Sequence, residues 1–162
     1  MKNILEEFVL QTIRDQTHPP TLYSGTRILY LSSIDWYMCS RYLVLTESFI
    51  ADHHDYIDWY SCSRYQKLTE ATMTKHMYRI NWDVISCNQK LSEGFIHKYR
   101  DDVWWTKISS CQVLSEKFIE DHADMVDWSS ILQYQKNLSE EFIRRIHQKN
   151  SEEFVTEHIK NH

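Results

Sequence analysis

LSEKFIEDHADMVDWSSILQYQKN, residues 114–137, holds two helix starts within one short stretch. Ser115 is a good N-cap, because its hydroxyl can accept a bond from an orphan N–H of the first turn. Glu116 follows in that turn, where the helix dipole favours negative charge. Leu114 before the cap and Ile119 at the fourth helical position make a hydrophobic staple. The same grammar returns at Val126-Asp127-Trp128-Ser129-Ser130-Ile131: apolar residue, cap, then an apolar fourth position. The stretch therefore predicts a pair of short helices, the second opening on Trp128.

The pattern recurs along the chain. Trp36, Trp59, Trp82, Trp105 and Trp128 are spaced 23 residues apart without a slip. Leu45, Leu68, Leu91 and Leu114 keep the same period, and Leu138 follows after 24 residues with Asn137 as the insertion. The earlier units read LTESFIADHHDYIDWYSCSRYQK, LTEATMTKHMYRINWDVISCNQK and LSEGFIHKYRDDVWWTKISSCQV. Thr46, Thr69, Ser92 and Ser139 stand where Ser115 does, and Asp35, Asp58 and Asn81 stand where Asp127 does. Two positions depart: Thr72-Met73 replaces Phe-Ile, and Trp104 takes the cap position before Trp105. Self-similarity at this period is the signature of a repeat architecture. Helices of about two to three turns are marginal alone and need neighbours. The fold expected is all-α, tandem helix-pair repeats stacked into a short α-solenoid. Its repeat core is expected to hold Trp36, Trp59, Trp82, Trp105 and Trp128 with Phe49, Phe95, Phe118 and Phe142.

Residues 1–162 read as a single helical-repeat domain whose ends are degenerate. Residues 1–21 suggest a capping helix, with Asn3 and Glu6 as a capping box and Pro19-Pro20 as its stop. Residues 22–44 keep the Trp half of a repeat, 45–137 hold four full units, and 138–162 read as closing helices.

Composition agrees. Two Gly and two Pro beside 14% Phe, Trp and Tyr argue against a turn-rich β fold and against a phosphate-cradling loop. A net charge of −5 with interspersed signs offers no basic face for nucleic acid. No stretch approaches the roughly 18 apolar residues of a membrane span, and residues 1–11 lack the apolar run of a secretory signal.

Nine His and four Cys invite a metal reading. The register argues against it. Cys39 and Cys62 fall where later units place Ile85, Ile108 and Ile131, so they read as small core hydrophobes. Cys111 takes the place of Tyr42, Tyr65 and Tyr134, and Cys87 occupies a variable position. No pair has zinc-finger spacing, and the cysteines suggest no disulfide framework, which makes a reducing compartment the default. His53, His76 and His122 share one register position with Tyr99, at the end of the first helix, where an imidazole can bond the last carbonyls. No catalytic residue, metal ligand or cofactor is expected, because the sequence lacks a nucleophile elbow, an HExxH and a Gly-rich loop.

Two recurrences bear on function. Gln66, Gln89, Gln112 and Gln135 each follow a Trp by seven residues. A buried amide must find partners, so each is expected to bond the backbone of the turn leading into the next unit and tie the two together. Tyr37 and Arg41, then Tyr60 and Arg64, are four apart on consecutive second helices, and form a candidate partner-binding patch. Its later equivalents are Asp83 and Cys87, Thr106 and Ser110, then Ser129 and Gln133, so the patch fades.

The motif LSExFI…VDWxxIxxyQ, met best at Leu114 through Gln135, resembles the tandem repeats of many proteins of giant DNA viruses and related large viruses and phages. The resemblance covers 45–147 well and 22–44 in part. It implies a viral origin and a helical repeat, and it supplies no catalytic residue. The expected function is non-enzymatic protein–protein interaction or assembly, with a viral capsid or host protein as partner. Nucleic acid and membrane are not expected partners, and self-association is left open. Two uses compete: a virion component, and an infected-cell factor that binds and inhibits a host protein. An unrecognised enzyme and a nucleic-acid binder stand below both. The expected location is the host cytoplasm or the virion, not the secreted space.

Overall fold

The computed structural model describes residues 35–148. The opening helix expected over 1–21, the start of the degenerate repeat and the end of the closing segment lie outside the described residues. Within them the chain is all-α. The elements are α1 (Trp36–Tyr42), α2 (Glu47–Asp52), α3 (Trp59–Tyr65), α4 (Glu70–Lys75), α5 (Trp82–Asn88), α6 (Glu93–Lys98), α7 (Trp105–Cys111), α8 (Glu116–Asp121) and α9 (Trp128–Tyr134). A helical run over 140–148 follows as α10. Six-residue and seven-residue helices alternate, about two turns each at most, which is shorter than the sequence suggests. The chain divides into two compact units, Met1–Gln89 and Lys90–His162, with the division one residue short of a repeat edge.

Side-chain caps set the start of every described Glu helix and of all but one Trp helix. Thr46, Thr69, Ser92, Ser115 and Ser139 each accept a bond from the N–H three residues on, at 3.1–3.3 Å. Asp35, Asp58, Asn81 and Asp127 do the same for the Trp helices at 2.7–3.0 Å. Trp104 has no oxygen to offer, and α7 starts without a side-chain cap.

Because helices this short have little stability of their own, the ties between repeats carry the fold. Four recur. The first is the glutamine. In the first unit the Gln66 Oε1 accepts from Leu45 N at 2.8 Å, while its Nε2 donates to Ser40 O and Leu43 O at 2.8 and 2.7 Å. Gln89 repeats this on Leu68 N, Ser63 O and Gln66 O. In the second unit Gln135 bonds Leu114 N, Ser109 O and Gln112 O. The turn each Gln clasps is the one leading into its own repeat, so the tie points backward along the chain rather than forward. The second tie is a buried serine four residues after the Trp. Ser40, Ser63 and Ser109 accept through Oγ from the N-cap N–H of Asp58, Asn81 and Asp127. Leu132 stands at that position in the last Trp helix and has no hydroxyl.

The third tie reassigns the first-turn glutamates. Glu47 Oε1 accepts from Thr69 N at 2.9 Å, and Glu93 and Glu116 accept from Ser115 N and Ser139 N. A capping box closes on its own helix. Here the carboxylate reaches the cap of the helix one repeat on. The Thr69 hydroxyl and N–H accordingly hold the Glu47 carboxyl below the usual carboxylate range, and the Ser139 N–H and hydroxyl do so for Glu116.

The fourth is the tryptophan, which is half-buried rather than a core residue. Its indole N–H closes the turn of its own repeat: Trp59 donates to His54 O, Trp82 to Met77 O, Trp105 to Arg100 O and Trp128 to Ala123 O, at 2.8–3.2 Å. Its ring lies against the first helix of the next repeat. Trp36 sits 6.2 Å from Phe49 and 5.6 Å from His53, and Trp105 sits 6.3 Å from Phe118 and 5.4 Å from His122. The innermost side chains are the neighbours instead: Ile50, Met73, Ile96 and Ile119 from the first helices, Cys62, Ile85, Ile108 and Ile131 from the second. Phe95, Phe118 and Phe142 are buried and Phe49 is half-buried.

Cys39 and Cys62 are free thiols inside this core. Burial, with the charges of Asp35 and Asp58 adding to it, pushes them up to about 11 and about 12, so they are inert at neutral pH. Cys87 and Cys111 are disulfide-bonded, which corrects the expectation that no cysteine belongs to a framework. They stand five and six residues after their tryptophans, share no repeat position, and so escape a search for recurrences.

Two outcomes follow for equilibrium unfolding. Gln89→Leu strands Leu68 N, Ser63 O and Gln66 O in a buried turn and is expected to cost about 2–4 kcal/mol, while Gln133→Leu on the exposed face changes stability by about 0.5 kcal/mol or less. Equal losses in the two would remove the tie from the account. Trp82→Ala is expected to cost about 3 kcal/mol, the low end for a large aromatic because the ring is half-exposed. Trp82→Phe, which keeps an aromatic ring but loses the N–H bond and part of the ring's contact, costs less, about 1–2 kcal/mol. Wild-type stability in Trp82→Ala would sink the register.

Candidate functional site

The repeat ties consume most of the recurring polar groups. What varies between repeats is therefore where a partner can be read, and two places stand out.

The histidine register is the first. His53 Nδ1 bonds Phe49 O at 3.0 Å and His122 Nδ1 bonds Phe118 O at 2.9 Å, closing the carbonyls of their own helices as the position suggests. Each ring also stacks on Phe, at 4.2 Å for Phe49–His53 and 4.1 Å for Phe118–His122. His97 Nδ1 lies 2.9 Å from His122 Nε2. A carbonyl only accepts, so His122 Nδ1 carries a proton, and in the neutral ring Nε2 is then the acceptor for His97 Nδ1. His76 differs. Its Nε2 is buried without a hydrogen-bond partner, and its ring packs 4.8 Å from Trp59. Burial holds the His76 imidazole below its usual range, and the charges of Lys75, His54 and Arg79 act in the same direction. Among the described residues no group of three or more His, Cys, Asp or Glu is placed to hold a metal ion. None of the described helices is long and apolar enough to cross a membrane.

The second place is the face of α1 and α3, adjacent second helices of the first compact unit. Tyr37, Tyr42, Tyr60 and Tyr65 are each 43–50% exposed. The Arg41 Nη1 donates to Tyr37 Oη at 2.6 Å, and its guanidinium lies 5.8 Å from the Tyr37 ring, 5.3 Å from Tyr42 and 4.9 Å from Tyr65. Arg64 Nη1 reaches Tyr60 Oη at 3.4 Å and sits 5.6 Å from Tyr65. These distances fall within cation–π range. Tyr65 is thus shared by both arginines, and the residues form one strip rather than two separate pairs. The sequence brings forward Tyr37, Arg41, Tyr60 and Arg64. It misses Tyr42 and Tyr65, which share a recurring position with Tyr134 and so do not stand out. Both are exposed because the helix ends there and the chain turns away at Leu43 and Gln66.

The four glutamines stand apart from this face. Gln66, Gln89 and Gln112 are buried and Gln135 half-buried; three lie within the ties described above, and Gln112 Oε1 accepts from Leu91 N at 3.1 Å. Compared with known proteins, the chain matches no family model, no curated protein and no solved structure.

The isolated His76 gives a pH test. A buried imidazole favoured in its neutral form contributes its full stability above the unfolded value of about 6.5. That contribution is lost as pH falls through the lower folded value. Urea unfolding at about pH 7.5 and about pH 5 is expected to show His76→Tyr, which copies Tyr99 in the register, losing less stability on acidification than the wild type. Identical losses would show that His76 does not titrate on folding.

Proposed function

We propose that the chain is a non-enzymatic protein-binding or assembly scaffold of viral origin, with Tyr37, Arg41, Tyr60 and Arg64 on its partner face. One observation carries this reading. Among the described residues, Arg79, Arg100, Arg144 and Arg145 each have a carboxylate within 4 Å, whereas Arg41 and Arg64 meet no described carboxylate and are framed by exposed tyrosines. Tyrosine and arginine are enriched among the residues that dominate binding energy at protein interfaces. Their rings and guanidinium planes are held by intramolecular contacts, so little side-chain freedom is left to lose on association. The remaining polar recurrences serve the repeat itself, which supports a scaffold over an enzyme.

Viral origin rests on the resemblance of the LSExFI…VDWxxIxxyQ units. A place in the virion and a role against a host protein are the two uses it leaves. Affinity purification of the tagged chain from infected cells, with quantitative mass spectrometry, separates them. The expected result is a stoichiometric protein partner that a Tyr60→Ala/Arg64→Ala variant loses. Capsid proteins recovered equally by both would retire this face and favour a virion scaffold. Recovery of nucleic acid, or turnover of a small molecule, would overturn the scaffold reading.

A further inference from the structure

We propose that the strip on α1 and α3 binds an extended acidic peptide segment of another protein, one carboxylate on Arg41 and a second on Arg64. The proposal rests on the protein-binding reading and names the chemistry of the partner.

The guanidiniums define the ligand. Each arginine carries five N–H donors, and the bonds formed here take Arg41 Nη1 to Tyr37 Oη and Arg64 Nη1 to Tyr60 Oη. The remaining donors of each fork have no carboxylate to meet among the described residues. A planar fork with free donors suits a carboxylate, which accepts two parallel bonds. The tyrosines fix the planes: Arg41 lies against Tyr37, Tyr42 and Tyr65, and Arg64 against Tyr65. The half-exposed rings beside them offer apolar cover for the stem of a Glu and the backbone next to it.

Spacing sets the form of the ligand. Packed helices lie about 8–10 Å apart, and α1 and α3 place their arginines at the same register position, five residues after Trp36 and Trp59. An extended chain in the polyproline II form advances about 3.1 Å per residue and returns every third side chain to the same face. Carboxylates three residues apart therefore span the two arginines, as in a Glu-x-x-Glu segment. The face suits few charges. Nucleic acid would bring a row of phosphates, each needing a cation, against a chain of net charge −5 and a strip of two arginines. The later repeats replace the pair with Asp83 and Cys87, Thr106 and Ser110, and Ser129 and Gln133, so the site belongs to one place in the array.

The test uses the full chain and fluorescein-labelled peptides of Gly and Ser carrying Glu-x-x-Glu, with Lys-x-x-Lys and Gln-x-x-Gln as controls, read by fluorescence polarisation. The expected result is saturable binding of the Glu peptide about tenfold or more tighter than either control, weakening as salt is raised. Arg41→Gln and Arg64→Gln are each expected to weaken it about tenfold. The double Lys variant, which keeps charge but loses the fork, weakens it less than the double Gln variant. Circular dichroism establishes that each variant is folded. Equal binding of the three peptides, or Glu-peptide binding unchanged in the double Gln variant, would overturn the proposal. So would self-association of the chain in sedimentation that the double Gln variant abolishes, because the occupant would then be a second copy. A cellular protein partner lost in Tyr60→Ala/Arg64→Ala, together with no affinity for the Glu peptide, would leave the protein-binding reading standing and remove the acidic class. Loss of both would remove both.

Discussion

A primary amide buried in a protein must satisfy one carbonyl oxygen and two N–H groups, and this chain solves that demand with backbone from one repeat earlier. Gln66, Gln89 and Gln135 each clasp the turn between two helices by three bonds. The turn has no regular structure, so its N–H and C=O groups would otherwise be buried without partners. The glutamine supplies what a β ladder supplies elsewhere. With the turns fixed in this way, helices of six or seven residues become sufficient, and the apolar contacts of Ile50, Met73, Ile85, Ile108 and Ile131 accumulate along a backbone already held in place.

Much of this was legible. Caps are local, one residue deciding one N–H, so Thr46, Ser115, Asp58 and Asp127 could be assigned from identity and position alone. The period was legible because a tryptophan is rare enough to mark it. What the sequence obscured is direction and destination. Glu47 next to a cap reads as a charge in a dipole, and only the stack shows it reaching Thr69 of the following repeat. Ser40, Ser63 and Ser109 recur as faithfully as the glutamines, yet a small hydroxyl four residues after a tryptophan has several local uses, including a bond to its own helix such as Ser86 makes with Trp82 O. The tryptophan itself misleads by size. It looks like a core residue, but its N–H needs a carbonyl and finds one in the turn, which leaves the ring half in water.

The candidate face was legible in part for a related reason. Tyr37, Arg41, Tyr60 and Arg64 stand out because they break the repeat. Tyr42 and Tyr65 keep to a recurring position, and their part in the strip follows from where α1 and α3 stop, which spacing cannot give. The histidines show the opposite limit. One register position holds His53, bonded to a helix carbonyl, His76, whose buried Nε2 is unpaired, and His122, bonded at both nitrogens. Neighbours one repeat away decide which, so equivalent residues in a repeat need not share chemistry.

The backward-pointing glutamine also bears on how such a chain changes length over time. Each repeat carries both halves of a joint: the amide that grips what came before, and the turn carbonyls that the next amide will grip. Excising one period anywhere inside the array brings matching halves together, and duplicating one adds a complete joint. Gain and loss of whole units is then a cheap mutational step, whereas loss of a single residue misaligns the joint that spans it. Asn137 shows the one-residue exception being absorbed, since its inserted side chain bonds Leu114 O at 2.7 Å and the following helix still begins at its serine cap.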